Sequence, residues 1–136
     1  MDKLLPDIEN PLLAPFWEGC QQHRLVFPHC PTCQTWQWYP TYQCKTCYSD
    51  FEWKEVSGEG KLFSWTVARK AFFPEFKERI PLIIAVVDMV DAPGVRLVSN
   101  IIHANPEDLQ LDMELKVRFI KMDENIVYPQ FEIVKG

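Results

Sequence analysis

Apolar positions recur with a helical period at the start of the chain and with a period of two over most of the rest. Leu12, Phe16 and Cys20 share one helical stripe, with Leu13 and Trp17 beside it, the i, i+4, i+8 spacing of an amphipathic helix. Asn10 before Pro11 and Ala14 before Pro15 are both suitable starts, because proline fits the first helical turn. A short helix is predicted within residues 11–22, weakened by Gly19. From 25 to 53 the pattern is two cysteine-bearing turns flanked by short strands, Trp36 and Trp38 alternating with Thr35 and Gln37. Ser57-Gly58-Glu59-Gly60 then reads as a hinge.

Beyond the hinge the texture is that of strands. Phe63, Trp65 and Val67 alternate with Ser64, Thr66 and Ala68, predicting a half-buried strand over 61–69. Residues 81–89 are almost continuously apolar, the pattern of a strand buried on both faces. Asp91-Ala92-Pro93-Gly94 supplies turn residues for a hairpin into a third strand over 95–102. Asn105-Pro106-Glu107-Asp108 offers an N-cap, a proline and acids for one helical turn. A fourth strand is predicted over 115–122 and a fifth over 127–134, broken or bent at Pro129. Five strands with a short helix between the third and fourth is the order of an OB-fold barrel, although count and order also fit other small barrels. The expected class is mainly β: a helical segment (1–24), a cysteine ribbon (25–56) and a barrel (57–136).

The ribbon carries the clearest chemistry. Cys30-Pro31-Thr32-Cys33 and Cys44-Lys45-Thr46-Cys47 are two C-x-x-C units with ten residues between them. Four thiolates at such spacing hold a tetrahedral zinc ion at about 2.3 Å each, and a four-sulfur site is closed, with no position for substrate. Cys30, Cys33, Cys44 and Cys47 are therefore expected to staple the fold and not to catalyse. Two disulfides would need an oxidising compartment, and no apolar leader follows Met1-Asp2-Lys3-Leu4. A thioredoxin-type pair would need a βαβ setting that is not apparent. Iron, as in rubredoxin, takes the same ligands and is the less favoured metal. Cys20 reads as a small buried hydrophobe. His29 is placed beside the ligands or in solvent, and His23 and His103 stand alone in sequence with nothing to form a dyad.

Charge narrows the partners. Nineteen acids against fourteen bases give a net charge of −5, so no basic field attracts nucleic acid. The longest apolar run, 82–87, is far short of the roughly 20 residues that cross a bilayer. A cytoplasmic protein is expected. Aromatic residues make up 13% of the chain, five of them tryptophan, enough for both a core and an interface.

In combination these features resemble a known family, the acyl-CoA-associated zinc-ribbon/OB-fold proteins catalogued as a domain of unknown function. The likeness runs through Phe16-Trp17-Glu18-Gly19, Leu25-Val26-Phe27-Pro28 and the paired C-x-x-C. It continues through Trp53 to Gly60, with its tryptophan, acids and spaced glycines, Pro81 opening the second barrel strand, and Val117-Arg118-Phe119. The chain departs from the family in three places: Gln34 and Tyr48 stand where a glycine commonly follows each second cysteine, and Asp112 where one precedes the fourth barrel strand. The resemblance implies a rubredoxin-like ribbon and an OB-fold. It also implies a non-catalytic accessory subunit in a hetero-oligomer with a thiolase-like or enoyl-CoA hydratase-like enzyme, which it stabilises and whose acyl-CoA site it helps to form. On that reading the Claisen, retro-Claisen or aldol-type chemistry resides on the partner, and a CoA thioester is shared with it.

Residues that would make those contacts are Arg69, Lys70, Phe72, Phe73 and Phe76, in the connection between the first two barrel strands, where OB-folds commonly bind ligands. Cations beside phenylalanines suit a CoA phosphate next to an apolar surface, or are a solvated loop capping the barrel. Phe16 and Trp17 either dock the partner or cover the ribbon. Two rival functions use the same architecture: a single-stranded nucleic-acid binder, which the acidic charge opposes, and a rubredoxin-like iron electron carrier.

Overall fold

The computed structural model describes residues 8–70 and 81–134 of the chain. Phe72, Phe73 and Phe76 lie outside the described residues.

Helix α1 (Ala14–Gln21) is entered through a turn in which the Asn10 carbonyl accepts the amides of Leu13 and Ala14, at 3.0 and 2.8 Å. Its buried face is Phe16, Gly19 and Cys20. Gly19 is there for proximity, since a Cβ would lie 2.8 Å from the Arg24 carbonyl and 3.1 Å from Val26. The helix ends on His23, at φ 58°, with Arg24 N–H bonding Gly19 C=O and His23 N–H bonding Cys20 C=O. This is the left-handed cap that satisfies the last carbonyls of a helix.

The ribbon sheet centres on β1 (Leu25–Cys30), all six residues buried. It pairs antiparallel with β2 (Thr35–Trp36) on one edge and β3 (Glu52–Val56) on the other. The Trp36/Trp38 alternation yields only two strand residues. Trp38 instead lies against Phe16 and Phe27, with ring centroids 4.9 and 5.2 Å away.

Strands β4 (Glu59–Ala68), β5 (Leu82–Met89), β6 (Arg96–Ile101), β7 (Glu114–Lys121) and β8 (Val127–Ile133) close into a barrel of order β4-β5-β6-β8-β7. A single 3₁₀ turn, Pro106–Asp108, separates β6 from β7, and Asn105 gives it no side-chain cap. Strand β5 is not buried on both faces. Ile83, Ala85, Val87 and Met89 fill the barrel while Leu82, Ile84 and Val86 are half-buried on its outside, because a small barrel has an interior for only every second residue.

Pro129 does not break β8. The bond from Val134 N–H to Glu114 C=O shows that even-numbered β8 residues aim their backbone at β7. The missing N–H of Pro129 therefore faces the other neighbour, β6, and the β7 ladder loses nothing.

The expected hinge is instead a packed junction. Gly58, at φ 86°, is buried, its carbonyl accepts Val117 N–H at 2.9 Å, and a Cβ would sit 2.3 Å from Val117 Cγ1. Asp91 fixes the same corner by accepting Ser57 N–H at 2.9 Å. One core cluster runs from Phe16, Cys20 and Phe27 through Val56 into Leu62, Val87 and Phe131. Helix α1 ties ribbon to barrel through Trp17 against Tyr128, His23 stacked on Phe119, and a Gln21 side-chain bond to the Asn125 carbonyl.

Candidate functional site

The four knuckle cysteines converge because each C-x-x-C folds into a tight turn. Gln34 N–H bonds Cys30 C=O at 2.8 Å and Tyr48 N–H bonds Cys44 C=O at 2.9 Å. Both turns need a left-handed residue after the second cysteine, and Gln34 (φ 58°) and Tyr48 (φ 59°) adopt it; Asp112 (φ 63°) does the same before β7. The three positions where the chain departs from the glycine pattern thus keep glycine's backbone conformation. Thr32 Oγ1 donates to Ser49 Oγ at 3.2 Å, linking one knuckle to the other.

All four sulfurs lie within 4.8 Å of one another, with Cys30–Cys47 at 3.5 Å and Cys33–Cys44 at 3.9 Å. A tetrahedron of about 2.3 Å metal–sulfur bonds has edges of about 3.8 Å, so the set fits such a metal. The surroundings favour charged sulfur. Hydrogen bonds from the Ser49 hydroxyl and then its amide pull the Cys47 thiol down to about 6, and the amides of Cys47 and Thr46 lower Cys44. Cys33 goes the other way, pushed up to about 12, first by its hydrogen bond to Cys47. Sulfurs in contact do not all ionise unless a cation lies among them, and a soft, four-sulfur tetrahedral donor set is the chemistry of zinc or iron. His29 is neither ligand nor solvated. It is buried at 4% exposure, with Nδ1 2.9 Å from Glu52 Oε1 and its ring against Trp36.

The second feature is an apolar cleft of about 960 Å³ on the outside of the barrel, over the seam between β6 and β8 and beneath α1. Trp17, Trp38, Leu82, Val98, Ile120 and Tyr128 are among its walls, and among the described residues no Asp, Glu, Lys or Arg lines it. Phe16, at 3% exposure, packs on Phe27 and Trp38 of the ribbon and also lines the cleft. Trp17 is half-buried in the cleft wall, and its Nε1 is shielded from solvent without a hydrogen-bond partner among the described residues. Arg69 and Lys70 are exposed where the chain leaves β4, just past the Ala68–Leu82 pair that borders the cleft.

Sequence reasoning missed two things. His103 is not alone: its Nδ1 lies 2.7 Å from Glu132 Oε2, and Arg118 Nε meets the other oxygen of that carboxylate, Oε1, at 3.3 Å. Twenty-nine residues separate His103 from Glu132, and only barrel closure joins them. The cleft likewise left no local signal, because its walls come from α1, the ribbon and four barrel strands.

Comparison with known proteins decides the family. The model for the ChsH2 rubredoxin-like zinc ribbon domain matches residues 17–53, and that for the ChsH2 C-terminal OB-fold domain matches residues 53–119. The chain belongs to the ChsH2 family. A probable enoyl-CoA hydratase alpha subunit of Thermomonospora curvata is 31% identical over 119 residues, 85% of this chain; the chain spans only 36% of that relative. A DUF35 domain-containing scaffold protein of Methanocaldococcus jannaschii is 26% identical over 77% of this chain and 74% of its own length. Among solved structures, a chain of the Ltp2-ChsH2(DUF35) aldolase superposes with a TM-score of 0.84 at 27% identity, covering 94% of this chain and 98% of that one. A DUF35-family protein from Sulfolobus solfataricus shares the fold at 14% identity, with a TM-score of 0.62 and coverage of 92% and 87%. This ChsH2-family chain is mainly β, with, among the described residues, one short α-helix, a cysteine ribbon and a closed OB-type barrel.

Proposed function

We propose that this chain is a non-catalytic, cytoplasmic accessory subunit that binds one zinc ion through Cys30, Cys33, Cys44 and Cys47 and assembles with a thiolase-like or hydratase-like acyl-CoA enzyme. The observation that carries the reading is the likeness over nearly the full length of both chains to the ChsH2 component of an aldolase assembly. The scaffold name of the archaeal relative and the enoyl-CoA hydratase name of the actinobacterial one point the same way. Bound zinc supplies a closed four-thiolate staple and no reactive position.

The chain's own residues do the rest. The knuckle amides and Ser49 hold the thiolates, α1 locks the ribbon onto β8, and the combined surface meets the enzyme. Trp17 contributes to that surface, and Arg69 and Lys70, exposed at the end of β4, serve the phosphates of a CoA thioester bound by the partner, with Phe72, Phe73 and Phe76 next in sequence. The nucleophile and the acid–base groups of the carbon–carbon chemistry reside on the enzyme subunit.

Co-expression with a thiolase-like or hydratase-like acyl-CoA enzyme of the same organism, followed by size-exclusion chromatography, tests this reading. Co-elution with one zinc and no iron per chain is expected. Two separate peaks contradict the partnership, and a coloured, iron-bearing product favours an electron carrier.

A further inference from the structure

We infer that the apolar cleft receives an extended, uncharged segment of the enzyme subunit, which pairs through its main chain with the open edge of β6 at Val98. The inference rests on the partnership proposed above. Strands β6 and β8 close the barrel at one pair, Ile101↔Phe131, with the Ile102 amide bonding the Phe131 carbonyl at 2.8 Å. Toward Val98 the ladder ends, and Pro129 is the reason, since it has no N–H to offer across the seam. Side chains bridge there instead: Ser99 Oγ donates to the Pro129 carbonyl at 2.6 Å, and Gln130 Nε2 to Asn100 Oδ1 at 3.4 Å.

The register fixes what the edge presents. Met89 N–H bonds Val95 C=O, so odd-numbered β6 residues aim their backbone at β5 and even-numbered ones away from it. The N–H and C=O of Val98 therefore point to the seam side, past the end of the β6–β8 ladder. Its side chain, 66% exposed, stands at the rim of the cleft.

An apolar trough beside a strand edge that is unpaired among the described residues satisfies two demands of one kind of ligand. An extended peptide gains main-chain bonds from the edge and buries its alternate side chains in the trough. Among the described residues the walls hold no Asp, Glu, Lys or Arg, and His103 there is paired with Glu132, so the lining favours uncharged side chains and the phosphates of CoA or nucleic acid belong elsewhere. Trp17 Nε1, without an acceptor among the described residues, is a further donor in the same wall.

Two substitutions separate backbone from side chain. Val98→Pro deletes the outward N–H but no bond to β5, a position where edge strands accept proline. Val98→Thr keeps the N–H and the shape. Affinity for the thiolase-like chain, measured by titration after zinc content and melting temperature are matched, should fall roughly tenfold or more in Val98→Pro. In Val98→Thr it should stay within about threefold. By hydrogen exchange, the Val98 amide should exchange freely in the isolated chain and be protected at least about 100-fold in the wild-type complex.

Equal affinity of both variants and wild type overturns the inference while leaving the partnership intact. So does a Val98 amide already protected in the isolated chain, which would mean that residues of this chain or a second copy cover the edge. If the wild-type chain does not bind the enzyme at all, the partnership fails and the inference with it.

Discussion

At single residues, the left-handed positions are the most informative. Gln34 and Tyr48 hold φ near 58–59°, a conformation that costs a residue with a Cβ about 1 kcal/mol or more. The knuckle bonds to Cys30 and Cys44 outweigh that cost. Gln34→Gly and Tyr48→Gly should each therefore stabilise the zinc-loaded chain by about 0.5–1 kcal/mol, less the entropy glycine adds to the unfolded chain. Urea denaturation midpoints check this. Cys20 supplies the pH dependence: burial pushes its thiol from 9.0 up to about 12, so the folded state holds the proton more tightly than the unfolded one. Its contribution is complete below about pH 9 and lost as pH rises from about 9 to about 12. Wild type should therefore lose more stability than Cys20→Ala between pH 8.5 and pH 10.5, in parallel denaturation series; equal losses contradict the assignment.

At the level of elements, what was legible in the sequence was whatever depends on near neighbours. The Leu12–Phe16–Cys20 stripe gives α1, the alternation around Trp65 gives β4, and the Asp91–Gly94 turn gives the β5–β6 hairpin. What was hidden depends on register between distant strands. Ile84 and Val86 look like core residues until barrel closure places them outside, and Pro129 looks like a breaker until the β7 ladder shows its N–H position facing away. The spaced glycines after Trp53 read as flexibility, yet Gly58 and Gly60 serve close packing against Val117 and Val87. Gly58→Ala brings both a clash and an unfavourable φ, and should destabilise the chain by about 2 kcal/mol or more by thermal or urea unfolding. Gly94, with open space around it, should accept alanine at only the cost of its φ of 89°, about 1 kcal/mol.

For the whole molecule, the four-cysteine site and the proposed docking surface are linked through α1. The ribbon is too small to stand on hydrophobic burial alone, and Phe27 and Trp38 of the ribbon support the helix that carries Trp17 into the cleft. Losing the metal should loosen the ribbon, the helix and then the cleft wall, while the barrel keeps its own ladders. A zinc chelator should accordingly reduce tryptophan burial, seen as a red shift in fluorescence, and leave the β signal of the barrel in circular dichroism. The four cysteines were readable in sequence because their spacing is local; the cleft was not, since helix, ribbon and barrel each supply a wall.

In the proposed role, the four cysteines act as a staple for a docking module. The most direct test is Cys33→Ser, with zinc content and binding to the thiolase-like subunit measured on the same preparation. Both should be lost together. A variant that has lost its zinc yet still binds the subunit and supports full activity of the complex would contradict that role.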